Sequence, residues 1–230
     1  MTEANSRDKK IVIHFDGPYE VRGDIPLVHK TQVVSEYGEP LTWEKNETLP
    51  TDGVYCLCRC GHSHEMPFCD GTHAEIDFDG AETADTRPIT ARQELLPGGT
   101  KITVRFDSSL CMDSGFCGCQ KTTLPDMMPN TTDTQVRSLV IAMIERCPSG
   151  AYTYSIEEDQ PEIEPDLPQQ VAVTTEITDH GPINSALWIT GRIPIERSDG
   201  KPFETRSRVT LCSCGLSKNK PLCDGAHRPK

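Results

Sequence analysis

Residues 58–73 read CRCGHSHEMPFCDGTH, and residues 212–227 read CSCGLSKNKPLCDGAH. Both segments follow the pattern Cys-x-Cys-x8-Cys-x3-His, so each ligand-type residue in the first segment has its counterpart 154 positions later. Three thiols and one imidazole in so short a span are typical of a metal site. Because two copies share one spacing, the sequence predicts two metal sites of the same kind.

The two segments offer one ligand set twice. The candidate ligands are Cys58, Cys60, Cys69 and His73, and then Cys212, Cys214, Cys223 and His227. One residue between two cysteines lets both thiolates reach one metal ion, and the third cysteine and the histidine, across an Asp-Gly turn, can hold a second. Such pairing suits a 2Fe–2S cluster, whose two irons each need two protein ligands. Structural zinc accepts the same donors, so a zinc-stabilised scaffold is the alternative.

Composition narrows the class of protein. The 230-residue chain is 35% hydrophobic, contains 11 Cys and carries a formal net charge of -12. This acidity argues against nucleic acid or an anionic membrane surface as the main partner. The amino terminus has no apolar segment of the secretory type, and the longest aliphatic run, residues 139–144, is too short to span a membrane. We therefore expect a cytoplasmic protein whose cysteines are reduced metal ligands.

The repeat extends upstream of the two ligand segments. Residues 17–27 resemble residues 185–195, and residues 38–41 resemble residues 200–203. Short apolar runs bounded by glycine and proline indicate strands and turns in these regions. Each copy is therefore expected to be a module of β-elements followed by a metal loop.

Both ligand segments resemble the CDGSH iron–sulfur proteins, the family that includes mitoNEET. The family pattern Cys-x-Cys-x2-(Ser/Thr)-x3-Pro-x-Cys-Asp-Gly-(Ser/Ala/Thr)-His is met at every position of both. The resemblance implies a 2Fe–2S cluster with Cys58 and Cys60 on one iron and Cys69 and His73 on the other, with the same roles repeated in the second copy. It also implies small β-rich modules that pair two-fold, so we expect an intramolecular, pseudo-symmetric pair in a monomer.

Further residues of the pattern are expected to support the clusters. These are Ser63, Asp70 and Gly71 in the first copy and Ser217, Lys218, Asp224 and Gly225 in the second. The aspartates are expected to cap a short helix after the turn, and the glycines to permit a positive φ or a close backbone approach. The first copy has His64 and Glu65 between its serine and proline, without the lysines of the second, so the two clusters are expected to differ.

A histidine ligand has two predicted consequences. Replacing one thiolate by neutral imidazole makes the site less negative, which raises its reduction potential relative to an all-cysteine cluster. A protonated imidazole cannot bind a metal, so cluster loss is expected to accelerate as pH falls through about 6.5.

Between the modules, Cys111-Met-Asp-Ser-Gly-Phe-Cys117-Gly-Cys119 is followed at a distance by Cys147-Pro. This layout resembles ferredoxins that lack the central ligand of Cys-x2-Cys-x2-Cys, with Ser114 at the vacant position. The resemblance implies a 3Fe–4S cluster held by Cys111, Cys117 and Cys147, in the divergent single-cluster ferredoxin domain that accompanies CDGSH modules in some bacterial proteins. Cys119 is the candidate fourth ligand of a 4Fe–4S cluster, and a packed domain without a cluster is the remaining alternative.

The expected fold class is α+β, with a small ferredoxin-like domain inserted between two β-rich modules. The predicted segments are a disordered N-terminus (1–10), CDGSH module 1 (11–90), the ferredoxin-like domain (91–156), an acidic proline-rich linker (157–170) and CDGSH module 2 (171–230). Within the inserted domain, residues 101–106 alternate like a strand. Residues 134–146 predict a helix after Thr132 or Asp133, with Val136, Leu139, Val140, Met143 and Ile144 on one face.

These features predict an electron-transfer protein, with cluster storage or donation to apo-acceptors as the alternative. The partner is expected to be a redox protein or an apo iron–sulfur acceptor with a basic surface, because the chain is acidic. No nucleophile elbow, phosphate loop, flavin or nicotinamide fingerprint is present, so an enzyme is not expected.

Overall fold

The computed structural model describes residues 9–119, 121–157 and 159–228. The described strands are β1 Lys10–Ile13, β2 Tyr19–Arg22, β3 Leu27–Val34, β4 Pro40–Leu49, β5 Val54–Leu57, β6 Glu94–Leu96, β7 Thr103–Phe106, β8 Gly118–Cys119, β9 Thr122–Thr123, β10 Tyr152–Ser155, β11 Gln170–Thr178, β12 Gly181–Thr190, β13 Ile195–Glu196 and β14 Arg208–Leu211. The described α-helices are α1 Leu124–Met127 and α2 Thr134–Arg146. The fold is thus β-rich with little helix. Residues 1–8 of the expected disordered N-terminus lie outside the described residues, and Lys10 already belongs to β1.

Two sheets combine strands from both repeats. One sheet has the order β13-β1-β2-β5, and the other has the order β14-β12-β11-β3-β4. In the first, β13 of the second module pairs in parallel with β1. In the second, the β3–β4 hairpin of the first module joins the sheet through a parallel β3–β11 pair. Each module therefore contributes strand to the sheet of the other.

A shared apolar core explains this exchange of strands. Alternate residues of β1 and β2 face inward, among them Ile11, Ile13 and Val21, which are buried. Leu187 and Leu211 of the second module belong to the same cluster. Burying one such aliphatic side chain contributes about 1.5–3 kcal/mol, so the two modules stabilise each other through one core.

The inserted domain has its own small core. A β10-β7-β6 sheet packs with α2, whose N-cap residue Asp133 accepts a hydrogen bond from the Gln135 N–H (2.7 Å). The helix bounds predicted from the sequence are confirmed, and β7 falls within the predicted strand at 101–106. The prediction that Leu139 lies on the buried face of α2 is wrong, because Leu139 is 44% exposed. The buried stripe runs through Val140, Met143 and Ile144, and Leu139 lies at its edge.

The segment predicted as an acidic linker contacts both neighbouring domains. Ile163 forms a β-bridge with β10, and the Glu164 carboxylate lies 2.7 Å from a nitrogen of the buried Arg206. Gln170 already belongs to β11. The segment between the inserted domain and the second module therefore packs against both of them. The predicted domain boundaries stay predictions.

Candidate metal centres

The first ligand set lies in the loop that follows β5. The Cys58 and Cys60 sulfurs are 3.7 Å apart, and the Cys69 sulfur lies 3.3 Å from Nδ1 of His73. Cys58 and Cys60 are buried, whereas His73 is partly exposed. The loop thus presents two pairs of donors, one deep in the protein and one closer to the surface.

The second ligand set, after β14, has the same arrangement. The Cys212 and Cys214 sulfurs are 3.7 Å apart, and the Cys223 sulfur lies 3.5 Å from Nδ1 of His227. A hydrogen bond between the first two thiols lowers the pKa of Cys212 to about 6 and raises that of Cys214. Burial raises the pKa of Cys223 to about 12. A bound metal counters such a rise, because its charge favours the thiolate.

The donors form pairs rather than a ring of four. Within residues 9–119, 121–157 and 159–228, no three His, Cys, Asp or Glu side chains converge on one position suited to a single metal ion. A tetrahedral zinc site requires four donors around one point, whereas a two-iron cluster requires two donors at each end. The donor chemistry and its pairing fit a 2Fe–2S cluster.

Serine and aspartate side chains hold both loops closed in the same way. The Asp70 carboxylate accepts from the His64 N–H (2.8 Å) and the Thr72 N–H (3.0 Å), and Asp224 accepts from the Lys218 N–H (2.8 Å) and the Ala226 N–H (3.1 Å). The serine hydroxyls donate to backbone oxygens across each loop, Ser63 to Phe68 (2.6 Å) and Ser217 to Leu222 (2.7 Å). These serine and aspartate side chains hold the ligand loops in shape and are not themselves candidate ligands. The Lys218 side chain is exposed, and Lys218 contributes to the loop through its backbone N–H, which donates to Asp224.

The expected helix after each turn is only partly present. A short 3-10 helix, Thr72–Ala74, follows the first turn, and its N-cap position is held by Gly71 (φ 94°) rather than by Asp70. The described residues after Asp224 form a turn without a helix. The aspartates nevertheless accept backbone N–H groups as expected, because the carboxylate reaches across the glycine.

The two ligand loops touch each other. Cys60 and Cys214 form an antiparallel bridge, and a Cβ on Gly61 would lie 2.4 Å from the Cys214 backbone oxygen. Only glycine permits this approach, and Gly215 faces Cys60 with the same separation. The two sites are therefore neighbours across the junction between the modules.

Three of the four middle cysteines lie near enough to influence one another's pKa. Burial, and then the charge of Cys147, raise the pKa of the Cys117 thiol, and the pKa of Cys111 is also raised, first by burial and further by Cys147. The Cys119 sulfur instead lies 3.4 Å from the Thr122 backbone oxygen. Cys111, Cys117 and Cys147 thus lie in one neighbourhood, as the predicted set requires, whereas Cys119 contacts a different partner. That the three are ligands stays a prediction.

The middle loop packs on the second ligand loop. Met112 and Cys223 belong to one buried cluster, and a Cβ on Gly225 would lie 2.9 Å from the Met112 backbone oxygen. Arg228 lies 3.7 Å from the Asp113 carboxylate. The second ligand loop consequently contacts both the first ligand loop and the middle loop.

The sequence patterns did not identify the residues around the far nitrogen of His227. Nε2 of His227 lies 3.1 Å from the Ser185 hydroxyl and 3.3 Å from the Glu176 carboxylate, both on buried residues. Although burial tends to raise it, the pKa of Glu176 is lowered by hydrogen bonds from His227 and Arg228. A single glutamate in a strand gives no signal, but Ser185 aligns with Gly17 in the repeat, and that difference could have been noticed.

None of the helices in the described ranges is long and apolar enough to cross a membrane. A comparison with curated proteins found no match to the chain. A comparison with protein families matched residues 16–74 and 184–228 to the iron-binding zinc finger of CDGSH type. It matched residues 98–157 to the divergent 4Fe-4S mono-cluster family. These regions bear out the architecture inferred from the sequence, with two CDGSH regions flanking a mono-cluster domain.

Proposed function

Because the chain is a tandem CDGSH-type iron–sulfur protein with a divergent mono-cluster domain between its CDGSH regions, we propose that it transfers single electrons among three clusters. Each CDGSH region would hold one 2Fe–2S cluster, and the middle domain would hold the third. When bound, such clusters supply reversible one-electron oxidation and reduction. The contacts between the three ligand loops carry this proposal.

The loops are contiguous in the order first site, second site, middle site. The Cys60–Cys214 bridge joins the first two loops, and the close approach of Gly225 to the Met112 backbone oxygen joins the second to the third. A protein that only stored clusters would need no direct contact between its loops. Contiguous ligand loops favour electron transfer, because redox centres that exchange electrons must lie close together.

In each CDGSH region, the paired donors suggest the ligands of each iron. Cys58 and Cys60 would bind one iron, and Cys69 and His73 the other, with Nδ1 of the histidine as its donor atom. The second region would use Cys212 and Cys214, and then Cys223 and His227. The Cys60–Cys214 bridge and the exchanged strands support an intramolecular, pseudo-symmetric pair of modules.

For the middle domain we propose a 3Fe–4S cluster. Cys111, Cys117 and Cys147 supply three thiolates, and the Cys119 thiol is held by the Thr122 carbonyl. The matching family is described as a 4Fe-4S mono-cluster, and that cluster would need a fourth donor in addition to the three. The ferredoxin-like character of this domain is part of the same proposal.

The proposed partner is a redox protein with a basic docking surface, in the cytoplasm. The net charge of -12 favours such a partner through electrostatic steering. The chain would serve as a carrier and not as an enzyme, because its sequence shows no nucleophile elbow, phosphate loop, flavin or nicotinamide fingerprint.

One observation favours cluster donation as a second candidate function. His73 lines an open hollow with Phe15, Asp16 and Asp77, so the outer iron position of the first site faces solvent. A cluster held there would be accessible to an acceptor. Incubation with an apo-ferredoxin separates the two functions, since intact cluster is transferred in donation, whereas repeated reduction and oxidation without loss indicates electron transfer.

The first test of the proposal is iron and sulfide analysis with EPR spectra of anaerobically purified protein, before and after dithionite. Two 2Fe–2S clusters give about four iron atoms per chain, and a 3Fe–4S cluster raises the number to about seven. We expect about seven, with an EPR signal from the oxidised middle cluster and new signals from the reduced 2Fe–2S clusters. About eight, with no oxidised signal, would replace 3Fe–4S by 4Fe–4S, and a colourless zinc protein would overturn the proposal.

A further inference from the structure

The ring of His227 is held from its far side by a buried carboxylate and a hydroxyl. Glu176 is 1% exposed and Ser185 is 4% exposed. The Ser185 hydroxyl donates to one oxygen of Glu176 (3.0 Å), and Nε2 of His227 faces both the hydroxyl (3.1 Å) and the other carboxylate oxygen (3.3 Å). Because Glu176 accepts and the hydroxyl proton is already used, Nε2 must carry a proton. Nδ1, which faces Cys223, is then free to bind a metal.

One further side chain, that of Arg228, contacts the Glu176 carboxylate. Nε of Arg228 lies 2.9 Å from the carboxylate oxygen that faces His227. The Arg228 side chain is 28% exposed and also approaches the Asp113 carboxylate of the middle loop at 3.7 Å. The arginine therefore keeps Glu176 ionised, while the direct contact with the imidazole belongs to the glutamate.

The first site lacks this support. Ser185 of the second module aligns with Gly17 of the first, which has no side chain. Asp16, which lines the hollow at His73, instead accepts a hydrogen bond from the Gly80 N–H (2.8 Å). In the part of the chain that the structure describes, no hydrogen-bond partner contacts Nε2 of His73. The two histidine ligands thus differ in what holds their outer nitrogen.

A carboxylate on the far nitrogen changes how an imidazole ligand behaves. It fixes the tautomer and ring orientation and increases the basicity of the metal-binding nitrogen. More electron donation and a nearby negative charge stabilise the oxidised metal. In a buried environment the effect is larger than in water, because the effective dielectric constant is lower.

We propose that Glu176 and Ser185 are positioning residues that orient His227 and give the second site a lower reduction potential than the first. The inference rests on the proposed 2Fe–2S clusters and adds which of the two is reduced first. A single electron supplied to the pair then occupies the first site at equilibrium, leaving the second site oxidised. The first site, whose histidine is open to solvent, would be the one that delivers the electron to an oxidised one-electron carrier.

The test is a redox titration of the full-length protein followed by EPR, with dithionite as reductant and ferricyanide as oxidant. The variant H73C assigns the signals, because it alters the first-site spectrum. In the wild type we expect the second-site signal to titrate at the lower potential. In E176Q we expect the second-site midpoint potential to rise. The rise should change the reduced-to-oxidised ratio of the second site about tenfold, which is equivalent to about 59 mV for one electron. The first-site midpoint should stay constant.

Matched variants separate positioning from a general loss of structure. D16N removes a carboxylate beside His73 that makes no hydrogen bond to the ring, and an asparagine tolerates the left-handed backbone of Asp16 (φ 44°). It should raise only the first-site midpoint, by less than E176Q raises the second, and leave the second-site midpoint unmoved. E176D keeps a carboxylate on a shorter side chain, so its second-site midpoint should lie between those of the wild type and E176Q. If E176Q fails to retain its second cluster, S185G imitates Gly17 by removing only the hydroxymethyl group, and it should raise the same midpoint by a smaller amount.

Equal midpoints in the wild type, or a second-site midpoint unmoved in both E176Q and S185G, would overturn this inference while leaving the clusters themselves in place. The absence of iron–sulfur signals from the wild type would instead overturn the proposed function.

Discussion

Asp70 and Asp224 show how single side chains shape a ligand loop. Each carboxylate joins two backbone N–H groups on opposite sides of its loop, and Asp70 also accepts from the Thr72 hydroxyl (2.7 Å). Hydrogen bonds from the His64 N–H and from Thr72 hold the pKa of Asp70 well below its usual range. The stabilisation is therefore fully present above about pH 4, the ordinary aspartate value, and is lost only in stronger acid.

Acid lability between pH 7 and pH 5 should accordingly come from the histidine ligands. Imidazole ordinarily protonates near pH 6.5, and its protonated form cannot bind iron. Iron release should therefore accelerate as pH falls through this range, while Asp70 remains ionised. In H73C/H227C, we expect iron release at pH 5.5 to slow by about tenfold or more relative to the wild type.

Release of iron to a chelator, followed by the loss of visible absorbance, measures this effect. D70N/D224N is the control, because it weakens the loops at every pH without removing a ligand. Equal acid sensitivity in H73C/H227C and the wild type would contradict the assignment of histidine as a ligand.

At the scale of elements, Arg208 links a strand of the second module to the helix of the inserted domain. Arg208 begins β14, and its buried guanidinium donates to the backbone oxygens of Cys147 (2.7 Å) and Ile144 (2.8 Å) at the end of α2. Burial lowers the pKa of Arg208, although the nearby Cys147 and Glu164 oppose the shift. The N–H groups of a cation at a helix C-terminus satisfy the free carbonyl groups there, and in this chain they also fix the position of the candidate ligand Cys147.

Replacing Arg208 by methionine should be costly. R208M removes two charge-assisted hydrogen bonds to buried carbonyl groups, so we expect the free energy of unfolding to fall by about 3 kcal/mol. Occupancy of the middle cluster should also fall, since Cys147 loses its support. Urea denaturation followed by circular dichroism, with iron analysis, measures both.

R146M provides the matched control, because Arg146 lies on the exposed surface in the same last turn of α2. Its cost should stay below about 1 kcal/mol, as expected for an exposed charge at a helix end. Similar losses in R208M and R146M would show that the buried contacts of Arg208 contribute little.

At the scale of the whole molecule, exchanged strands make the two modules dependent on each other. The Tyr19 hydroxyl of the first module donates to the Cys212 backbone oxygen (2.8 Å) of the second ligand loop, which adds a polar contact to the shared sheets. The two modules thus stabilise each other within one chain.

We therefore expect a monomer in solution. The mass by light scattering after size-exclusion chromatography should be close to 25.5 kDa. The physical reason is that β13 and β3 already pair within the chain with β1 and β11, the strands with which a second copy would otherwise exchange strands. A stable species of twice that mass at low protein concentration would indicate exchange between chains instead.

Local patterns predicted much of the fold and of the sites. The α2 bounds followed from helical periodicity and capping chemistry, which offered Thr132 or Asp133 as the N-cap, and the structure uses Asp133. The Cys–Cys and Cys–His pairs followed from spacing within sixteen residues, over which the chain has little freedom. Leu139 was assigned to the buried face because periodicity cannot tell the centre of an apolar stripe from its edge.

The sequence by itself determined the two donor sets, their repetition and the cysteines of the middle site, since these depend on neighbours along the chain. Only the tertiary structure decided that Glu176 meets His227 and that Arg208 reaches Cys147, which are 51 and 61 positions apart in the chain. It also decided that the second loop contacts both of the others. Such contacts depend on which strands pair and in what register, and no periodicity in the residues themselves records that choice.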